Sequence, residues 1–274
     1  MDFELSAVDP MIWAMILGVG VIAGVINTIV GGGTLLVLPL LIEVVQIPPH
    51  IANGTNRLCV AFQAAVALWA LSRNQPAGEG QRLGEVLRSL PWIPAALVGL
   101  CAIPGAWLAS FLPAEELRKS LGFLVLVAVS FFMFSGSRKN PPESDSISSQ
   151  KSQFVGFGII LSSIACGIYG GFIGAGIGAF IILMFTSVGV GIEKAVRWKV
   201  FLVWLLSTAS GVYYFWVGHF SLMLAIPLLF AYAIGGFWGG RWISRGGVKW
   251  LKPAVGIISA ALALMMLFGN PLKG

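Results

Sequence analysis

Apolar residues occur along the chain in long stretches that are separated by short polar segments. A helix of about 20 apolar residues crosses a hydrocarbon core of roughly 30 Å, whereas a transmembrane barrel needs segments of about 10 residues that alternate between apolar and polar side chains. The nearly uncharged stretches are residues 10–42, 58–72, 90–113, 121–137, 154–192, 200–216, 222–240 and 253–269. Because they do not alternate, the pattern predicts a polytopic helical membrane protein.

Two of these stretches, 10–42 and 154–192, are too long for one crossing and contain glycine clusters. The clusters are Gly31–Gly33 in the first stretch and Gly174–Gly178 in the second. Glycine allows the backbone to turn, and irregular backbone at membrane depth is tolerated only where protein or a wet cavity surrounds it. We therefore predict a helix, a break and a second helical arm in each stretch. Glycine pairs at four-residue spacing elsewhere are instead typical of close helix packing.

The two halves of the chain correspond to each other. In both halves a short polar and basic segment, 53–57 or 195–199, follows the broken stretch. The matching positions are Gly24 and Gly167, Gly33 and Gly176, and Ala52 and Ala195. This duplication predicts a first membrane repeat over residues 1–136, a cytoplasmic linker over 137–153 and a second membrane repeat over 154–274. Interrupted apolar segments at matching places in two halves indicate a transporter site.

The basic residues predict the orientation of the halves. If each broken stretch crosses the membrane once, the 17 lysines and arginines divide between both faces without a clear excess. If each crosses an even number of times, most of them lie on one face, as the positive-inside rule expects. The second half is then inverted relative to the first, and both termini lie outside. We predict an all-α polytopic membrane protein with two inverted repeats, each a glycine-broken two-armed helix followed by three transmembrane helices.

Composition narrows the class of protein further. Hydrophobic residues make up 57% of the chain and charged residues 10%, with a net charge of +6. In a membrane protein this charge is typical of loops that face anionic lipid, so no nucleic-acid partner is expected. The three cysteines are isolated within apolar segments, which predicts neither a disulfide framework nor a metal site. We find no ATP-binding motif and no hydrolase constellation, and we expect neither enzymatic activity nor a cofactor.

The polar residues inside the apolar pattern are candidates for an anion site. An anion within the membrane needs hydrogen-bond donors and positive charge, because water cannot supply them there. Helical arms that restart after Gly33 and Gly176 would direct backbone N–H groups toward such a ligand. The candidate binding residues are Asn27, Gly32, Gly33, Thr34, Asn53, Thr55, Asn56, Arg57, Gln63, Tyr169, Gly174, Gly176, Arg197 and Lys199.

Several of these residues have alternative interpretations. Arg197 and Lys199 could coordinate an anion, or they could be positive-inside residues that reach lipid headgroups. His50 and Glu193 lie at matching positions in the two halves and could couple transport to protons, or they could be loop residues at the membrane surface. A passive anion channel could use the same broken helices and basic residues.

Four segments carry a resemblance to a known family. They are GVIAGVINTIVGGGTLLVLPLL from Gly20, IPPHIANGTNR from Ile47, GIYGGFIGAGIGAFI from Gly167 and AIGGFWGGRW from Ala233. In these segments the chain resembles the sulfite exporter TauE/SafE family of bacterial membrane permeases, over nearly its whole length.

The resemblance implies a multi-pass permease of the bacterial inner membrane. It implies transport of small sulfur-containing or organic anions, such as sulfite, thiosulfate or short sulfonates. We expect an alternating-access mechanism around a site near the membrane midplane. Coupling to protons or sodium and assembly into a homodimer are left open, and an intramembrane enzyme is the least favoured alternative.

Overall fold

The computed structural model describes residues 10–29, 31–73, 83–134, 149–242 and 251–268, and these contain helices and no strand. The helices are α1 (Pro10–Ile29), α2 (Thr34–Pro39), which continues as a π-helical turn (Leu40–Val44), α3 (Pro49–Arg73), α4 (Leu83–Arg88), α5 (Trp92–Leu100), α6 (Ala102–Phe111), α7 (Ala114–Phe134), α8 (Ser149–Phe172), α9 (Ile177–Thr186), α10 (Ile192–Trp216), α11 (Leu222–Trp242) and α12 (Leu251–Phe268). The predicted all-helical class is therefore confirmed.

The described helices have the length and surface of membrane spans. Four segments are long and apolar enough to cross a bilayer, namely residues 10–29, 92–111, 194–216 and 222–242. Large apolar side chains also lie on the outside, where Phe111, Phe157 and Phe230 are each more than half exposed. An apolar exterior of this extent is unfavourable in water and favourable in lipid. Length, composition and surface together identify an integral membrane protein.

Both predicted helix breaks are present. α1 ends at Ile29 and α2 begins at Thr34, while α8 ends at Phe172 and α9 begins at Ile177. Gly31, Gly174 and Gly176 have φ angles of 93°, 56° and 72°, in the left-handed region that favours glycine. The glycine clusters therefore form the breaks because the backbone there takes conformations that other residues adopt only with strain.

The two breaks are in contact with each other. A Cβ atom at Gly31 would overlap the backbone of Gly178, in the first turn of α9. Position 31 therefore requires glycine for two reasons, its left-handed φ angle and the close approach of another backbone segment. The contact brings the interrupted parts of both halves to one place in the interior.

Helix packing crosses between the halves. α1 packs mainly on α11, whereas α8, the corresponding helix of the second half, packs on α5 and α6. Small residues permit this closeness, since a Cβ at Gly235 would overlap Val21 and Gly24 of α1 and a Cβ at Gly171 would overlap the carbonyl of Ala102. α3 also packs on α10, and α7 on α12. The helices of each half therefore pack against helices of the other half.

The predicted linker over 137–153 lies largely outside the described residues. α8 begins at Ser149, so the last five residues of that segment are helical.

A partly buried ion pair joins three helical elements of the structure. Arg118 of α7 contacts Glu43 of the π-helical turn, with distances of 2.6 Å from Nε to Oε1 and 3.0 Å from Nη2 to Oε2. Arg118 Nη2 also donates to the carbonyl of Met265 in α12 at 2.9 Å. The Glu43 side chain is only 2% exposed. The pair therefore fixes the end of the first returning arm to α7 and α12.

We expect Glu43→Ala to destabilise the protein by about 2–3 kcal/mol, because it removes the carboxylate that accepts two charge-assisted hydrogen bonds from Arg118. This corresponds to a fall of roughly 4–10 °C in melting temperature, which thermal unfolding in detergent would measure. Glu115→Ala is the matched control, since Glu115 pairs with Arg118 and Lys119 on the surface, where such pairs contribute about 0–1 kcal/mol. Equal shifts in both variants would contradict a structural role for the pair of Glu43 and Arg118.

Candidate functional site

Polar side chains collect in the interior around the two breaks. In a membrane protein, polar and charged residues at such positions are costly and mark functional sites. Those that are at most 4% exposed include Asn27, Thr28, Thr34, Asn53, Thr55, Asn56, Arg57, Gln63 and Lys199. This group contains most of the polar residues that the sequence singled out.

Arg57 reaches from α3 of the first half to the break of the second half. Its guanidinium lies against Gly174, where any Cβ atom would overlap it. The side chain is 1% exposed, yet Nε and Nη2 have no hydrogen-bond partner within the described residues. Unpartnered donors at such depth are rare, because their desolvation is not compensated. Arg57 is thus a buried cation with donor capacity that the described protein does not use.

The carbonyl groups near Arg57 are satisfied by other residues. Asn53 Nδ2 donates to the carbonyl of Phe172 at 2.7 Å and to the hydroxyl of Tyr214 at 3.0 Å. Tyr214 donates in turn to the carbonyl of Gly171 at 3.2 Å. Since these neutral donors hold the last carbonyls of α8, the guanidinium of Arg57 is not required there.

A further donor without a partner lies beside Arg57. Asn56 accepts a hydrogen bond from Tyr232 at 2.8 Å through Oδ1, while its buried Nδ2 has no partner in the described structure. Across the second break, the hydroxyl of Tyr169 donates to the carbonyl of Ala175 at 2.6 Å. The region of the second break therefore combines partnered backbone carbonyls with unpartnered donors on Arg57 and Asn56, and with one unpartnered acceptor, Asn53 Oδ1.

Lys199 reaches in the opposite direction, from α10 of the second half to the break of the first. Its Nζ donates to the carbonyl of Asn27 at 3.1 Å and to that of Thr28. Asn27 Nδ2 donates to Gln63 Oε1 at 2.6 Å, and Gln63 Nε2 donates to the hydroxyl of Thr28. These residues form a closed hydrogen-bonded group at the C-terminal end of α1, which we call the α1 cap (Asn27, Thr28, Gln63 and Lys199).

The interior around the breaks carries positive charge. Within the described ranges the ion pairs involve Glu43 and Glu115 with Arg118 and Lys119, and none includes Arg57 or Lys199. A buried cation without a carboxylate is costly in a medium of low polarity. The arrangement therefore favours an anionic ligand.

The structure brings together most of the predicted site residues. Asn27, Gly32, Gly33, Thr34, Gln63 and Lys199 lie at the first break, and Asn53, Arg57, Tyr169, Gly174 and Gly176 lie at the second. Asn56 is the neighbour of Arg57 on α3 and contacts Tyr232 of α11. Thr55 points elsewhere, since its hydroxyl accepts a hydrogen bond from the backbone N–H of Ser221 at 3.0 Å. Arg197 is half-buried and lies about 200° around α10 from Lys199. The side chain of Glu193 lies outside the described structure.

The two histidines, distant in sequence, are neighbours in space. The ring centroids of His50 and His219 are 4.8 Å apart, and His50 Nε2 lies 3.0 Å from the carbonyl oxygen of Leu112. Burial, and next the neighbouring His50, lowers the pKa of His219. No cluster of three metal-ligating residues occurs in the part of the chain that the structure describes. His50 lies in the first turn of α3 and His219 in the connection between α10 and α11, apart from the α1 cap.

Sequence reasoning missed four residues of these groups, namely Thr28, Tyr214, Tyr232 and His219. The two tyrosines lie within apolar stretches, where an aromatic residue is typical of ordinary packing. Thr28 adjoins Asn27, and this adjacency was the one local signal for it. His219 lies in a short loop, so nothing local connects it with His50.

Comparisons with known proteins agree with this architecture. The family model described as "Sulfite exporter TauE/SafE" matches residues 16–266. The chain is 30% identical to a probable membrane transporter protein, ORF9, of Sinorhizobium sp., over 90% of this chain and 88% of that protein. It is 25% identical to the probable membrane transporter protein YfcA of Escherichia coli K12, over 97% and 94% of the two chains. No solved structure matches the chain significantly.

Proposed function

Because the chain belongs to the sulfite exporter TauE/SafE family and is similar to probable membrane transporters, we propose that it is a secondary transporter of small sulfur-containing or organic anions. The observation that carries this proposal is Arg57, whose buried guanidinium has two unpartnered nitrogens at the second break. Sulfite, thiosulfate, short sulfonates and short carboxylates are the substrate class.

Arginine suits such ligands for a geometric reason. Its planar guanidinium presents parallel N–H groups that contact two oxygens of a carboxylate or sulfonate at once. Asn56 Nδ2 supplies a neighbouring donor, and the N-terminal end of α9 after Gly176 adds the positive end of a helix dipole. The desolvation of Arg57 has already occurred on folding, so a bound anion gains its contacts without that cost.

We place the anion at the second break and attribute transport to alternating access. The breaks touch at Gly31 and Gly178, and packing crosses between the halves, as expected for two inverted repeats around a shared site. The repeats extend over 1–136 and 154–274, with both termini outside the bacterial inner membrane. Arg57, Asn56 and Lys199 are at most 1% exposed, and this enclosure favours a carrier over an open channel.

The test is thermal stabilisation of the purified protein by sulfite, thiosulfate, sulfate, short sulfonates and short carboxylates. A ligand that binds only the folded state stabilises it by RT ln(1 + [L]/Kd), or about 2.7 kcal/mol at 100 times Kd. For a chain of this size we expect a saturable rise of roughly 5–10 °C with at least one of these anions. Sodium chloride at equal ionic strength is the control. No selective shift with any of them would contradict the proposed anion site.

A further inference from the structure

Lys199 is held in a way that is unusual for a buried cation. Its side chain is 1% exposed and donates to the backbone carbonyls of Asn27 and Thr28. No ion pair connects it with a carboxylate in the described ranges. A buried ammonium usually needs an opposite charge, and here the partial negative charge at the C-terminal end of α1 takes that place.

The oxygen atoms around this ammonium resemble the ligands of a free cation. Two of them are backbone carbonyls at the end of a broken helix, which the ammonium contacts directly. The hydroxyl of Thr28 and the side-chain oxygen of Gln63 belong to the same hydrogen-bonded α1 cap. Hard cations prefer such neutral and anionic oxygens. In secondary transporters, the C-terminal ends of interrupted helices and unwound backbone carbonyls coordinate sodium.

The two breaks differ in which groups donate to their carbonyls, and this difference separates the roles of Arg57 and Lys199. The carbonyls of the second break are held by the neutral groups of Asn53 and Tyr214, and Arg57 retains unpartnered nitrogens. The ammonium of Lys199 instead has its partners at the first break. Arg57 is thus available to a ligand, whereas Lys199 is engaged in holding the end of α1.

We propose that the ammonium of Lys199 is a built-in counter-cation, which occupies an oxygen-lined monovalent-cation site at the C-terminal end of α1. Removal of the side chain opens this site to a free cation of the size of sodium or lithium. Sodium-independent anion transport follows as a consequence, and that consequence alone rests on the proposed transport function. The cation site itself rests on the contacts of Lys199.

The experiment measures melting temperatures of wild type and Lys199→Ala in sodium, lithium, potassium and N-methylglucamine chloride at equal ionic strength. We expect wild type to melt at the same temperature in all four salts. Lys199→Ala should melt lower in N-methylglucamine and recover saturably, by about 3 °C or more, in sodium or lithium. Lys194→Ala is the matched control, because Lys194 lies on the same helix with its ammonium 5.0 Å from the ring centre of Trp198. It should show no selective response to any of the salts.

Sodium-selective stabilisation of wild type would overturn the proposal, and so would identical melting temperatures of Lys199→Ala in all four salts. If Lys199→Ala does not fold, Lys199→Ser supplies a small side chain with one more oxygen ligand. Failure of both variants to fold in every salt, sodium included, would also overturn it, because rescue by a free cation is its central claim. The assay contains none of the anions proposed as substrates, so its result does not depend on whether the anion titration succeeds or fails.

Discussion

Arg57→Met is expected to abolish anion binding and, at the same time, to raise the melting temperature of the ligand-free protein. Hydrogen bonds to a charged group contribute about 1.5–3 kcal/mol each, so the loss of two such bonds lowers anion affinity by at least about 100-fold. The ligand-free protein gains stability because a desolvated guanidinium with unpartnered nitrogens is replaced by an apolar side chain of similar length. We expect a gain of about 1–2 kcal/mol, or roughly 2–8 °C.

The opposite signs of these two effects make the test specific for a binding role. Arg73→Met is the matched control on the same helix, since Arg73 is exposed and its guanidinium lies 4.8 Å from the ring centre of Trp69. It should change neither quantity appreciably. Arg57→Lys keeps the charge without the planar fork and should bind anions with intermediate affinity. A lower melting temperature for Arg57→Met with unchanged anion affinity would show that Arg57 is structural instead.

Gly31→Ala is expected to be strongly destabilising, although it removes no polar group. The new Cβ would overlap the backbone of Gly178, and the φ angle of 93° is strained for alanine. Because backbone is opposed to backbone, no side chain can move aside, and we expect a loss of at least about 3 kcal/mol or failure to fold. Folded yield and melting temperature in detergent would measure the effect.

Gly18→Ala provides the control for this substitution. Gly18 lies within α1, and a Cβ there would meet no atom within 4 Å. Alanine favours a helix over glycine by about 1 kcal/mol, so this variant should be as stable as wild type or slightly more so. If Gly31→Ala also folded with wild-type stability, the two breaks would not be in the contact described.

The helix breaks could be predicted because their cause is local. Glycine clusters within overlong apolar stretches determine the backbone by themselves, and the breaks occur at Gly31 and at Gly174–Gly176 as expected. The start of α3 at Pro49 is equally local, since proline suits the first turn of a helix. The polar residues Asn53, Asn56 and Arg57 stand out because an apolar helix offers no other reason for them. The inverted orientation of the repeats stays a prediction.

The partners of these residues could not be predicted, because they come from packing between distant segments. Nothing in the periodicity indicates that Arg57 lies at the second break while Lys199 caps the first. The pair of Glu43 and Arg118 is similar, since each charge alone is typical of a helix end. Polar groups buried in an apolar interior require partners, but the sequence does not identify which helix supplies them.

The exchange of caps between the halves has a consequence for synthesis of the protein. Lys199 of the second half donates hydrogen bonds to the carbonyls of Asn27 and Thr28 at the end of α1. Asn53 of the first half donates to the carbonyl of Phe172 at the end of α8. The ribosome completes the first half before Lys199 exists. Until α10 enters the bilayer, the end of α1 remains an unsatisfied stretch of backbone in a solvent that offers it no hydrogen bonds. We therefore expect that the end of α1 is kept in contact with the insertion machinery or with water until Lys199, which is translated more than a hundred codons later, has entered the membrane.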